Sequence, residues 1–284
     1  MEELSRQNLK DRWDFSLMIA PCWRDHCFEG RSVLPAVEAM ILLASAVRRH
    51  CPEVRLHSLK NARFSRLLEL DLQAGRQDIS FEIEKVNAGW SAAFLSKLKM
   101  KGGVKRTLEH ARVIFVADET PSVPPAVLEN IEKLEGDCLS VPSFAIYREL
   151  IPFGPSYRNI VGDVSVSREG ALAYLSGGEG QADDLLLGSP FVMDAAMHAA
   201  CVWGQRFRDV VAFPVGFTQR LIYSPTRKGR TYLGRIVPLE GGREPFAFDV
   251  WIYDEKGVLC ERIISLKMRD VTQGRLRPPS WIRE

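Results

Sequence analysis

The sequence predicts an α+β fold in which two antiparallel sheets are each wrapped around a buried central helix. Three observations lead there. Two helical stretches, 35–50 and 189–207, are apolar nearly all round, and a helix without a polar face has to be surrounded by protein. Each is followed by strand-like segments with period-two alternation, as in "SFEIEKV" and "FAFDVWIY". Short turn signals such as "NAG", "KGG" and "DEKG" separate several of these segments and favour antiparallel hairpins.

In chain order, the first helix, "PAVEAMILLASAVRRH", opens on Pro35, which suits the first helical turn. It closes on Arg48, Arg49 and His50, which suit the negative end of the helix dipole. Strands are expected in "VRLHSLKNARFSRLL", "DISFEIEKV", "WSAAFLSKLKM" and "EHARVIFVAD". A stretch rich in proline and acidic residues then marks a linker, which gives subdomains 1–130 and 145–284 joined by 131–144. Ser189 is placed to cap the second helix and Pro190 to begin it. Four more strands follow, in "VVAFPVGFTQRLIYS", "TYLGRIVPL", "PFAFDVWIYD" and "VLCERIISLKM". One plan is used twice.

Composition narrows the function. The 284 residues are 46% hydrophobic and 26% charged, an ordinary globular balance. A net charge of +2 argues against a nucleic-acid partner. The N-terminus lacks the apolar core of a signal peptide. The longest apolar run, "AMILLASAV", is about half the roughly 18 residues of a membrane span. The six cysteines form no CxxC pair, so reduced thiols and a cytoplasmic setting are expected. Cys22, His26 and Cys27, with His50, Cys51 and His57, supply only fragments of a zinc-knuckle pattern, and no metal is expected.

The chemistry concentrates around "HCFEGRSVLP", residues 26–35. This segment fits His-x3-Gly-x4-Pro, the signature of β-hydroxyacyl thioester dehydratases of the hotdog fold. Further on, "FGPSY" resembles their Tyr-Gly-Pro-x-Phe motif, "DAAMH" their Asp-x3-Gln/His motif, and "FPVGFTQRLIYS" the segment after their second helix. The four pieces occur in the family's order over residues 26 to 224. The chain thus resembles the double-hotdog dehydratase domains of polyketide synthases. That resemblance implies a dehydratase acting on acyl groups carried by the phosphopantetheine of an acyl carrier protein, in trans or within a larger synthase, without another cofactor. It also allows a homodimer.

The residues support this chemistry independently. Making the double bond requires a base near neutral pKa for the proton next to the carbonyl, and the imidazole of His26 is suited to that. It also requires an acid for the departing hydroxyl. Asp194 has apolar sequence neighbours, and burial there would disfavour its ionised form. Gly30 and the amides at the start of the helix after Pro35 offer a site for charge developing on the thioester oxygen. His198, four residues after Asp194, is either a partner that orients the carboxyl group or binds substrate, or a core histidine bound to a carbonyl. By resemblance, Phe153, Gly154, Pro155 and Tyr157 shape the pocket. A glutamine, Gln181, stands nine residues before Pro190, so the second half offers no second base.

The sequence departs from the family in one place. Phe153 stands where a tyrosine is usual, and Leu150 and Ile151 replace a glycine and a second aromatic. The same His/Asp pair also suits double-bond isomerisation or cyclisation, as in product-template domains. A non-catalytic acyl-binding module and a thioesterase are the rivals from other classes. Two basic runs, 97–106 and 225–230, are candidate docking points for an acidic carrier protein.

Overall fold

The computed structural model describes residues 10–99, 103–116, 131–179, 185–241 and 245–284. Gln181 lies outside them. In the first half, β1 (Lys10–Met18) leads into a short 3-10 turn (Pro21–Asp25), followed by a miniature hairpin of β2 (Cys27–Phe28) and β3 (Arg31–Ser32). Helix α1 (Ala36–His50) follows, then β4 (Ser58–Phe64), β5 (Arg76–Val86), β6 (Gly89–Lys99) and β7 (Lys105–Val116). Pro35 takes the cap position of α1 rather than its first turn, one residue earlier than expected.

The second half opens with β8 (Leu139–Pro142), so part of the expected linker is a strand paired with β9 (Ile160–Ser167). Between them run one turn of helix, α2 (Ser143–Ala145), and a wider π turn over Ile146–Leu150. After β10 (Gly170–Ser176) comes α3 (Pro190–Arg208), then β11 (Phe213–Ile222), β12 (Thr231–Pro238), β13 (Phe246–Tyr253) and β14 (Leu259–Arg269). A last turn, α4 (Ser280–Arg283), packs on α3.

The expected pair of sheets is one continuous antiparallel sheet of twelve strands, ordered β1-β5-β6-β7-β4-β11-β14-β13-β12-β10-β9-β8. The halves are joined edge to edge where β4 pairs with β11, from Gly216 opposite Arg63 to Leu221 opposite Ser58. Joining them removes two edges that would otherwise invite foreign strands. Gly216 is required at this seam, because a Cβ there would lie 2.1 Å from the carbonyl oxygen of Ala62.

Each half of the sheet curls around its helix, α1 against β5, β6 and β7, and α3 against β9, β10, β11 and β12. Every residue of α3 from Pro190 to Gln205 is buried. On α1 the buried side comprises Val37, Ala39, Met40, Leu43, Ala44, Ala46 and Val47. The two helices also touch each other, which brings the start of α3 near the loop that precedes α1.

Candidate active site

His26 ends the 3-10 turn, and the β2–β3 hairpin folds back upon it. Its carbonyl accepts the Val33 amide at 2.9 Å, and its ring Nδ1 lies 3.0 Å from the Val33 carbonyl oxygen. A carbonyl only accepts, so Nδ1 carries the proton and Nε2 keeps its lone pair. The hairpin turn that makes this return possible has Glu29 and Gly30 in the left-handed region, at φ 47° and 75°. One face of the imidazole fronts a cavity while protein surrounds the rest. Desolvation therefore holds its pKa below the ordinary 6.5, although the nearby Asp194 carboxylate pulls the other way.

The second half supplies the opposite wall. Asp194 and His198 lie one turn apart on α3, both buried, with Oδ2 and Nε2 3.0 Å apart. Their alignment is not that of a hydrogen bond, so both atoms keep unused capacity. His198 is held from behind by Tyr147. The Tyr147 oxygen accepts the Ile160 amide at 2.9 Å and lies 3.3 Å from His198 Nδ1, a hydrogen-bond distance. A hydroxyl hydrogen given to Nδ1 leaves the ring N–H on Nε2, facing Asp194. Among the described residues, no backbone carbonyl holds this histidine.

Both ends meet in one cavity of about 820 Å³. Its lining includes His26, Gly30, Phe153, Asp194 and His198, so residues from the two halves share one cavity. Phe153 sits between the histidines, with ring centroids 4.3 Å from His26 and 5.2 Å from His198. The other expected pocket residues, Pro35, Gly154, Pro155 and Tyr157, do not line it. Pro35 is occupied as the cap of α1. Tyr157 packs its ring edge-on against His26 at 5.1 Å and turns its hydroxyl away to Glu38, 3.4 Å distant.

Gly154 and Pro155 support the site from outside the cavity. The Gly154 amide donates to the Asp25 carbonyl at 2.7 Å, and Ser156 donates to Asp25 Oδ2 through its amide at 2.9 Å and its hydroxyl at 2.6 Å. Asp25 directly precedes His26, so the second-half motif clamps the loop that carries the imidazole. Asp25, Ser156 and Tyr147 were not singled out by the sequence. Tyr147 lies six residues before Phe153, outside the motif, and only its hydroxyl distinguishes it from other apolar positions of that turn.

Glu38 does not line the cavity. Burial raises its carboxyl to about 7, with hydrogen bonds from Trp23 and Tyr157 opposing the shift. Cys27 donates its thiol to the Arg24 carbonyl at 3.1 Å. Among the described residues, no three His, Cys, Asp or Glu side chains are grouped to hold a metal ion. Neither expected docking run lines the cavity; its exposed basic residues are Arg66, Arg269 and Arg277. Residues 100–102 of the first run lie outside the described residues. No described helix is long and apolar enough to cross a membrane.

Comparison with known proteins agrees with this architecture. Residues 145–278 match the family model of the polyketide synthase dehydratase N-terminal domain. Curated protein sequences return no match. Among solved structures, the dehydratase domain of RzxB from Pseudomonas fluorescens is 15% identical, with 93% of this chain and 97% of that chain covered and a TM-score of 0.68. A trans-AT polyketide synthase dehydratase domain from Brevibacillus brevis is 18% identical over 93% and 96%, with a TM-score of 0.68. An inactive histidine-to-phenylalanine mutant of the CurK dehydratase is 16% identical over 95% and 94%, with a TM-score of 0.72. The chain has the double-hotdog fold of these dehydratase domains, and its residues 145–278 match the polyketide synthase dehydratase family model.

Proposed function

We propose that this cavity removes water from a β-hydroxyacyl thioester, with His26 as the base and Asp194 as the acid, to give the α,β-unsaturated thioester. Dehydration of such thioesters is the reaction of this family, and the chain is a hydro-lyase. One observation carries the assignment of roles: His26 and Asp194, from opposite halves, front the same cavity.

The unprotonated Nε2 of His26 takes the proton from the carbon next to the carbonyl. The ring is already turned for this by the Val33 carbonyl, and desolvation keeps it neutral. The β-hydroxyl is received opposite. Asp194 Oδ2 and His198 Nε2 are buried, close and without hydrogen-bond partners among the described residues, and a hydroxyl placed against the pair would engage both. Asp194 then gives its proton to the departing oxygen, while the His198 N–H steadies it.

A histidine-to-phenylalanine change inactivates the related CurK dehydratase, and His26 is the residue of this chain to which that requirement is assigned. Dehydratase domains of polyketide synthases work with acyl carrier proteins. The substrate accordingly arrives on a phosphopantetheine arm, in trans or within a larger synthase. Arg66, Arg269 and Arg277 on the cavity lining suit its phosphate better than the two basic runs do.

The test is mass spectrometry of a 3-hydroxyacyl thioester incubated with wild type, His26→Ala and Asp194→Asn. The expected result is loss of one water with wild type and none with either variant. Full dehydration by His26→Ala would overturn the assignment, and free acid as the product would indicate a thioesterase.

A further inference from the structure

Beyond Asp194, four more residues of α3 front the cavity: Met197, His198, Cys201 and Gln205. They fall on one helical face, so the cavity follows the helix from the reacting end toward its C-terminal end. Gln205 is wholly buried and lies farthest along this face.

A glutamine side chain offers two N–H donors and one oxygen acceptor. The donors are used, since Nε2 lies 3.3 Å from the Leu150 carbonyl oxygen and 3.5 Å from Cys201 Sγ. Because that carbonyl only accepts, it fixes which end of the amide is which. Oε1 is left with no partner among the described residues. Leu150, whose carbonyl holds the amide, and Val211, Ala212 and Met268, which line the same cavity, have apolar side chains with no donor to give. A buried acceptor without a donor is unfavourable, and a cavity that keeps one is suited to a ligand that brings the donor.

We propose that Gln205 Oε1 determines substrate specificity by accepting a hydrogen bond from a neutral donor, a hydroxyl or an amide N–H, on the bound thioester. The proposal rests on the dehydratase reading of the cavity. Eleven residues of helix separate Gln205 from Asp194, roughly 16 Å along the axis. At the reach of an extended chain, that is on the order of a dozen bonds from the reacting carbons. Two parts of the substrate can carry a donor that far out: a hydroxylated polyketide chain, or the distal amide and hydroxyl groups of the pantetheine arm.

The experiment is calorimetric binding of unreacted 3-hydroxyacyl thioesters to the His26→Phe protein, with and without Gln205→Met. The ligands are long-chain thioesters of N-acetylcysteamine or pantetheine, each with or without one hydroxyl about a dozen atoms from the β-carbon. A donor within reach is expected to tighten Kd about tenfold, and Gln205→Met is expected to abolish that gain. Dependence on the acyl hydroxyl identifies the chain as the source; dependence on the pantetheine handle identifies the arm. A Kd insensitive to both, or a preference that survives Gln205→Met, overturns the proposal. Should the Gln205 variant fail to fold, the ligand pairs compared on the His26→Phe protein alone decide the matter. Turnover is measured separately on wild type: a binding preference without loss of water would sink the dehydratase reading and leave the Gln205 assignment standing.

Discussion

The Tyr147 hydroxyl lies 3.3 Å from Nδ1 of His198 and, without lining the cavity, sets a tyrosine oxygen behind a wall that Phe153 shares. It reaches the site from the π turn over Ile146–Leu150, six residues upstream, and acts through His198. The chain of contacts runs from the Ile160 amide through the phenol and the imidazole to the Asp194 carboxyl. The first two links are hydrogen bonds and the last is a 3.0 Å approach, so backbone holds the imidazole that faces the acid.

Replacing Tyr147 with phenylalanine leaves the Ile160 amide and His198 Nδ1 unpaired in a buried place. A loss of about 1–3 kcal/mol is expected in urea unfolding. Turnover of a 3-hydroxyacyl thioester should fall roughly tenfold in kcat, with KM little changed, because His198 can then adopt the other tautomer. Wild-type kcat in a folded Tyr147→Phe protein would remove the tyrosine from the relay.

The acid limb of the kcat/KM profile should fall below pH 6.5. Desolvation depresses the His26 pKa, so the imidazole remains a free base at pH values where an exposed histidine is half protonated. Stability follows the same group. Between its folded pKa and its unfolded value, the folded state binds fewer protons than the unfolded one, and stability rises with pH across that window. An acid limb centred above 6.5 in the pH–rate profile would contradict the desolvated base.

Glu38 gives the opposite slope. Its carboxyl titrates near about 7 in the folded protein and near 4.5 when unfolded. The folded state therefore binds more protons between these values, and stability contributed by the neutral form is lost as pH rises through 7. Glu38→Gln should match wild type at pH 5 and exceed it at pH 8.5 by on the order of 2–3 kcal/mol in chemical unfolding. Equal unfolding free energies at both pH values would show that Glu38 is not held in a desolvated place.

Much of this arrangement was legible in the sequence. The all-apolar stretches around Met40 and Ala196 announced two surrounded helices, and alternation in "FAFDVWIY" announced β13. β9 and β10 were not read as strands because small residues and glycines, as in "IVGDVSVS" and "GALAYLS", dilute the alternation. The pairing of β4 with β11 was invisible because register between distant strands is set by three-dimensional packing. His26 and Asp194 could be named from motif spacing, whereas Asp25, Ser156 and Tyr147 act through single contacts that leave no periodic trace.

Gly154 and Gly30 should respond differently to alanine. Gly154 has an ordinary φ of −72°, but a Cβ there would sit 2.5 Å from Asp25 Oδ1 and 2.7 Å from Asp25 Cβ. The clash pushes on the residue next to His26, so Gly154→Ala should cost about 1–3 kcal/mol and lower kcat with it. Gly30 has open space but a φ of +75°, so alanine there should cost about 1 kcal/mol of backbone strain. Thermal unfolding and kcat measured side by side distinguish them; a larger loss at Gly30 than at Gly154 would reverse the assignment.

The start of α3 is set by a buried ion pair. Arg220 donates twice to Glu261 Oε2, at 2.9 and 2.7 Å, and once to the Leu187 carbonyl at 2.8 Å. Glu261 Oε1 accepts the Thr226 hydroxyl at 3.1 Å, and Thr226 in turn receives the Ser189 amide. Leu187 and Ser189 lead directly into α3, so this network positions Asp194. Removing one partner leaves an uncompensated buried charge, and Glu261→Gln or Arg220→Ala should cost about 3–5 kcal/mol. Changing both to apolar residues of similar volume should restore most of that stability without restoring kcat, since the Leu187 and Thr226 anchors stay lost. Recovery of full kcat in the double variant, read beside its unfolding free energy, would show that the ion pair only stabilises the fold and does not place the carboxyl.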